Sequence, residues 1–157
     1  MSKIVAILTL GLQTVLAFIA AFCIYMFFAV LDSEFGFDGL VVLFIFQPVI
    51  AIVLSVLTII VCMLAGLPIR LNKKLNHWWT TNFYISIIGV VCGLTLLFLA
   101  MLPGFEETAT VISDERETLK QIPNQTLLLI GLLLTVFSLL HVYPPRQFTE
   151  KIKRVSK

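Results

Sequence analysis

The chain has 157 residues, 59% of them hydrophobic and only 13% charged, with a net charge of +2 and a mean hydropathy of +1.04. Soluble domains are nearer about 45–50% apolar and about 25% charged. That excess excludes an ordinary soluble domain, and the small net charge gives no reason to expect nucleic acid as a partner.

The first predicted element covers 4–31, a run without Asp, Glu, Lys or Arg. It exceeds the ~17–25 residues a helix needs to cross a bilayer core. It is also too long for the ~7–15-residue apolar core of a signal peptide, so it is expected to remain as a span. Gln13 lies on its small-residue face with Ala6, Thr9, Ala17 and Ala20. The connection that follows carries Asp32, Glu34 and Asp38 and no base.

A second uncharged run spans 40–67. Gln47 and Pro48 interrupt it near its outer end, and a proline within a helix predicts a kink with a freed carbonyl. The next connection is basic, with Arg70, Lys73 and Lys74. Leu67, Leu71, Leu75, Trp78 and Trp79 recur at helical spacing, with the bases and His77 on the opposite arc. That amphipathic stretch suits the inner leaflet surface or a turn into the third span. Trp78 and Trp79 are read as interface anchors.

The third run, 80–102, presents Asn82, Ser86, Gly89, Gly93 and Ala100 on one face. Small residues let helix backbones approach in lipid, so Gly89 and Gly93 are candidate packing positions. The long connection after it carries Glu106, Glu107, Asp114, Glu115 and Glu117 against Arg116 and Lys120. Ser113 as an N-cap, with acids in the following turn, predicts a short outer helix over 113–122. This acidic segment is the best candidate surface for an extracytoplasmic partner. The fourth run, 126–143, places Gly131, Thr135 and Ser138 on one face, Gly131 being a third packing candidate. The tail is basic: Arg146, Lys151, Lys153, Arg154 and Lys157 against Glu150.

Lys and Arg near span ends stay on the cytoplasmic side. Every connection agrees with this rule if both termini and the second connection lie inside. The expectation is therefore an all-α polytopic membrane protein, one membrane domain over 1–157. Its four transmembrane helices form a compact bundle with both termini cytoplasmic, in a bacterial inner membrane.

Chemistry is poorly represented. Cys23, Cys62 and Cys92 are scattered within the spans and read as packing residues. His77 and His141 fall at the inner ends of the third and fourth spans but have no carboxylate or further ligand beside them in the pattern. No catalytic residues, metal or cofactor are expected. Gln13, Gln47 and Asn82 are the candidate polar interior; Gln13 and Asn82 are placed to meet, Gln47 to satisfy its own kinked turn. The expected function is that of a non-enzymatic interaction protein with the bilayer and a protein partner or its own copies. It would be an accessory subunit of a membrane assembly or a protector against a membrane-active toxin. A small oligomeric conduit for an ion or uncharged solute is the alternative.

Overall fold

A computed structural model describes residues 3–32, 37–113 and 116–143. The chain is mostly helical. Helix α1 covers Lys3–Asp32. Helix α2 (Phe37–Val41) passes through a π-helical turn (Val42–Phe46) into α3 (Gln47–Leu71). Pro48 stands at the start of α3 and is the reason for that turn. It has no N–H, and its ring crowds the carbonyl four residues back. The wider turn, in which the Gln47 N–H bonds the Val42 carbonyl, takes up the misfit.

Asn72 ends α3 and caps α4 (Lys73–Thr81), its Oδ1 accepting from the amides of Lys74 at 2.9 Å and Leu75 at 3.4 Å. Helix α5 (Tyr84–Leu99) follows at 76° to α4. The bend falls at Asn82, whose backbone leaves the helical region at φ −103°, ψ 51°. The straight helix within the expected run 80–102 thus begins at Tyr84 rather than at 80. After α5, Leu102 to Phe105 make a turn with Pro103 second and Gly104 third, closed by the Phe105 amide on the Leu102 carbonyl at 3.1 Å. Gly104 has φ +94°, as the third residue of a type II turn requires.

The expected outer helix over 113–122 is not formed. Strands β1 (Glu107–Ser113) and β2 (Arg116–Ile122) pair antiparallel, with Glu107 opposite Ile122 and Ser113 opposite Arg116. The expected helical class holds for most of the described residues, with this hairpin as the departure from it. Thr108, Thr110, Val111 and Ile112 are β-branched and favour strand over helix. The cap-like Ser113 gains nothing once its segment is paired across the hairpin. Helix α6 (Gln125–Leu140) then opens on an Asn124 cap, whose Oδ1 accepts from the Leu127 amide at 2.9 Å.

Helix α6 packs on α1, α3 and α5, and α1 also packs on α3. The residues that α1 and α3 turn inward are mostly small or polar, Gln13, Ala17 and Ala21 on α1 and Ala51, Ser55, Thr58, Cys62 and Gly66 beside Ile59 on α3, and they meet Leu97 of α5 and Leu132, Val136 and Leu140 of α6. Large aliphatic side chains such as Ile7, Leu12, Val53, Leu64, Val91 and Leu129 are exposed. Soluble proteins rarely expose so much contiguous apolar surface, whereas lipid accepts it. Ile7–Leu31 (25 residues) and Gly39–Leu71 (33 residues) are long and apolar enough to cross a membrane, and the bent pair α4 and α5 makes a third candidate if counted as one span. Helix α6 has 16 residues, ~24 Å at 1.5 Å per residue, and is shorter than the expected run 126–143.

Candidate functional site

The densest polar construction lies where α6 ends. A helix leaves its last carbonyls without partners inside the helix. Glycine often resolves this with a left-handed turn, but α6 ends at Leu140-His141-Val142 with no glycine. Four other helices supply the donors instead. Arg70 at the end of α3 donates from Nη2 to the Leu140 carbonyl at 3.1 Å. The His141 carbonyl accepts from Trp79 Nε1 of α4 at 3.0 Å and from Ser86 Oγ of α5 at 2.8 Å. Trp79 Nε1 also lies 3.0 Å from Ser86 Oγ. Gln13 Nε2 of α1 donates to the Val142 carbonyl. The Arg70 guanidinium brings positive charge to the negative end of the α6 dipole.

The His141 ring is the core of this knot and is fully buried, as is Ser86. Nδ1 lies 2.7 Å from the Phe137 carbonyl. A carbonyl only accepts, so Nδ1 carries the proton. The ring stacks on Phe137 at 4.4 Å and meets the Trp79 ring edge-on at 6.1 Å. Its far side rests on Gly66 of α3, where a Cβ would overlap Nε2 and Cε1.

The sequence candidates are distributed as follows. Gln13 is in the knot. Asn82 is not: it is half-buried at the α4–α5 bend, donating to the Trp78 carbonyl at 3.0 Å and accepting from the Tyr84 hydroxyl at 3.2 Å. Gln47 is at the other end of the bundle. Trp78 is exposed, whereas Trp79 turns inward. Adjacent helical residues do not share a face, and that was the available signal that one of the two tryptophans belongs to the interior. Arg70, Ser86, Gly66 and His141 were not singled out together, because what joins them is mostly backbone carbonyls. His77 is exposed while His141 is buried. Among the described residues no three of His, Cys, Asp or Glu are grouped to hold a metal ion.

Gly89, Gly93 and Gly131 lie where α5 meets α6. A Cβ on Gly93 would stand 2.8 Å from the Gly131 carbonyl oxygen, and one on Gly131 the same distance from the Gly93 carbonyl oxygen. Three further hydroxyls of the inner stripes bond back to their own helices. Ser55 donates to the Ala51 carbonyl at 2.6 Å, Thr58 to Leu54 at 2.8 Å and Thr135 to Gly131 at 2.8 Å.

At the opposite end, the foot of the hairpin is tied to the bundle. The Asn124 amide donates to the Ala100 carbonyl at 3.1 Å, and the Gln125 amide to Glu107 Oε2 at 3.4 Å. Beneath this foot a cavity of about 610 Å³ opens between α1 and α6, with Gln47 in its wall. Models of protein families, curated proteins and solved structures give no match to this chain.

Proposed function

We propose that the chain is a four-span membrane protein of a bacterial inner membrane, with both termini cytoplasmic, that works by binding a protein partner on the outer side. The partner is either the rest of a membrane assembly or a membrane-active toxin held in check. The charge asymmetry of the connections supports the orientation. Helices of 16 residues are short for a ~30 Å core, but the turns that extend them and local thinning of the bilayer accommodate the difference. Helix α4, amphipathic and sharply bent from α5, then lies along the inner leaflet, with Lys73 and Lys74 near lipid phosphates.

One observation carries the binding role: the outer connection is a two-stranded sheet whose outer edges are unpaired among the described residues. An isolated pair of strands is only marginally stable in water, and an open edge is a template for a further strand. Its acidic residues favour a basic partner segment. The conduit reading receives less support, since the buried hydroxyls of Ser55, Thr58 and Thr135 are committed to their own helices and that of Ser86 to the His141 carbonyl, and Gly93 and Gly131 close the space between α5 and α6.

A photo-crosslinking residue placed at Thr108, which is exposed, tests this in intact cells. A discrete adduct with one protein is expected, weakened several-fold by Glu106→Lys. Adducts with lipid alone, together with solute leak from proteoliposomes above that of empty vesicles, would overturn the binding role in favour of a conduit.

A further inference from the structure

The cavity under the hairpin is not used by the binding role just described. Its origin is visible in the side chains of α1. Ala17 and Ala21 are fully buried and bring α1 against α6 in the inner half of the bundle. One to two turns further out, Ile24, Tyr25 and Phe28 line the α1 side of the gap. The α6 wall is the single face formed by residues 125, 128, 129 and 132, at i, i+3, i+4 and i+7. The gap is therefore about two turns deep, ~10 Å. Its volume of about 610 Å³ falls within the ~300–1,000 Å³ of small-molecule sites.

The lining has a polarity. The floor is aliphatic and aromatic. Gln121 and Gln125 stand exposed at the hairpin end, and among the described residues none that lines the cavity is charged. Gln47 is half-buried in the wall, and no described residue shares a side-chain hydrogen bond with it. An amide among apolar groups is costly without a partner. The hydroxyl of Tyr25, the other polar group deep in the wall, is already bonded to Thr58 Oγ1 at 2.9 Å. Leu31 and Leu129 line the gap and are also 53% and 57% exposed, so it opens sideways onto the apolar surface of the bundle.

We infer that this cavity binds one long-chain lipid of the outer leaflet whose head is small, uncharged and hydroxyl-bearing, of the diacylglycerol type. The chain lies between α1 and α6, and the hydroxyl exchanges hydrogen bonds with the Gln47 amide, which both donates and accepts. Among the described residues a phosphate head would meet three neutral amides and no cation. The inference rests on the membrane placement proposed above.

The test is labelling of the protein in lipid nanodiscs with a diacylglycerol carrying a diazirine in its acyl chain. Label is expected in the peptides containing 24–31 and 125–132. Unlabelled dioleoylglycerol should compete, and dioleoylphosphatidylglycerol should compete at least tenfold less well. Leu128→Trp, which fills the gap, should reduce labelling about tenfold, and Gln47→Leu, which keeps the volume, several-fold. Label spread evenly over all apolar helices and unchanged in both variants would overturn the site. Equal competition by the anionic lipid would overturn the neutral head. Flotation with vesicles reads the membrane placement separately, and a protein that does not float removes the basis of both.

Discussion

Gly93→Ala is expected to lower the stability of the purified protein in detergent by about 2 kcal/mol or more, while Gly89→Ala leaves it within about 1 kcal/mol of the parent. Both changes gain up to ~1 kcal/mol of helix propensity, so the difference comes from the neighbours. At 93 the new Cβ meets backbone: the Gly131 carbonyl oxygen and the Thr135 amide nitrogen, each at 2.8 Å, besides the Thr135 hydroxyl. Backbone cannot give way unless α5 and α6 separate, and overpacking a tight contact costs ~1–3 kcal/mol or more. At 89 it meets the Ser138 hydroxyl, which can turn, and Ser138 Cβ at 3.1 Å, which must yield by a few tenths of an ångström. Thermal unfolding of the two single variants checks this. Equal stability of Gly93→Ala and the parent would show that α5 and α6 do not approach so closely.

Gly66→Ala should be as damaging, by about 2–3 kcal/mol, for a different reason. The neighbour here is a side chain, the His141 imidazole, but not a free one. It is bonded to the Phe137 carbonyl at 2.7 Å and held between Phe137 and Trp79. Displacing it shifts the His141 carbonyl away from Trp79 and Ser86. Overpacking of this kind again costs ~1–3 kcal/mol, with loss of a buried hydrogen bond adding ~1. The double variant Gly66→Ala, His141→Ala should be more stable than the two single costs add up to, because the clash disappears with the ring. Gly11→Ala is the control: nothing lies within 4 Å of a Cβ there, and it should be neutral or slightly stabilising. Additive costs at 66 and 141 would remove the knot as the explanation.

Much of the helical part of the fold was written in charge-free runs and stripes of small residues. Those are local patterns, and a helix is a local structure. The hairpin was not legible in the same way. Ser113 and the acids after it imitate a helix start, and only pairing with the preceding Thr108–Ile112 segment makes the strand reading win. Pro48 announced a distortion in the helix but not its form; the π turn depends on how the whole of α2 and α3 is accommodated. The knot at the end of α6 was the least visible feature. Its acceptors are backbone carbonyls, which every residue possesses, and its donors come from positions as far apart as Gln13 and Ser86. Only Trp79, next to Trp78 on a short helix, hinted that one indole turns inward.

The outer binding role rests on the proposed orientation, in which the hairpin and the cavity lie outside and the knot and the basic segments inside. That orientation is read by placing single cysteines in a protein from which Cys23, Cys62 and Cys92 have been removed, and labelling intact cells with a membrane-impermeant maleimide. Thr108→Cys in the hairpin should react with cells intact, and Ser156→Cys in the tail only after the membrane is opened. Labelling of Ser156→Cys in intact cells with Thr108→Cys protected would invert the protein and contradict the outer binding role.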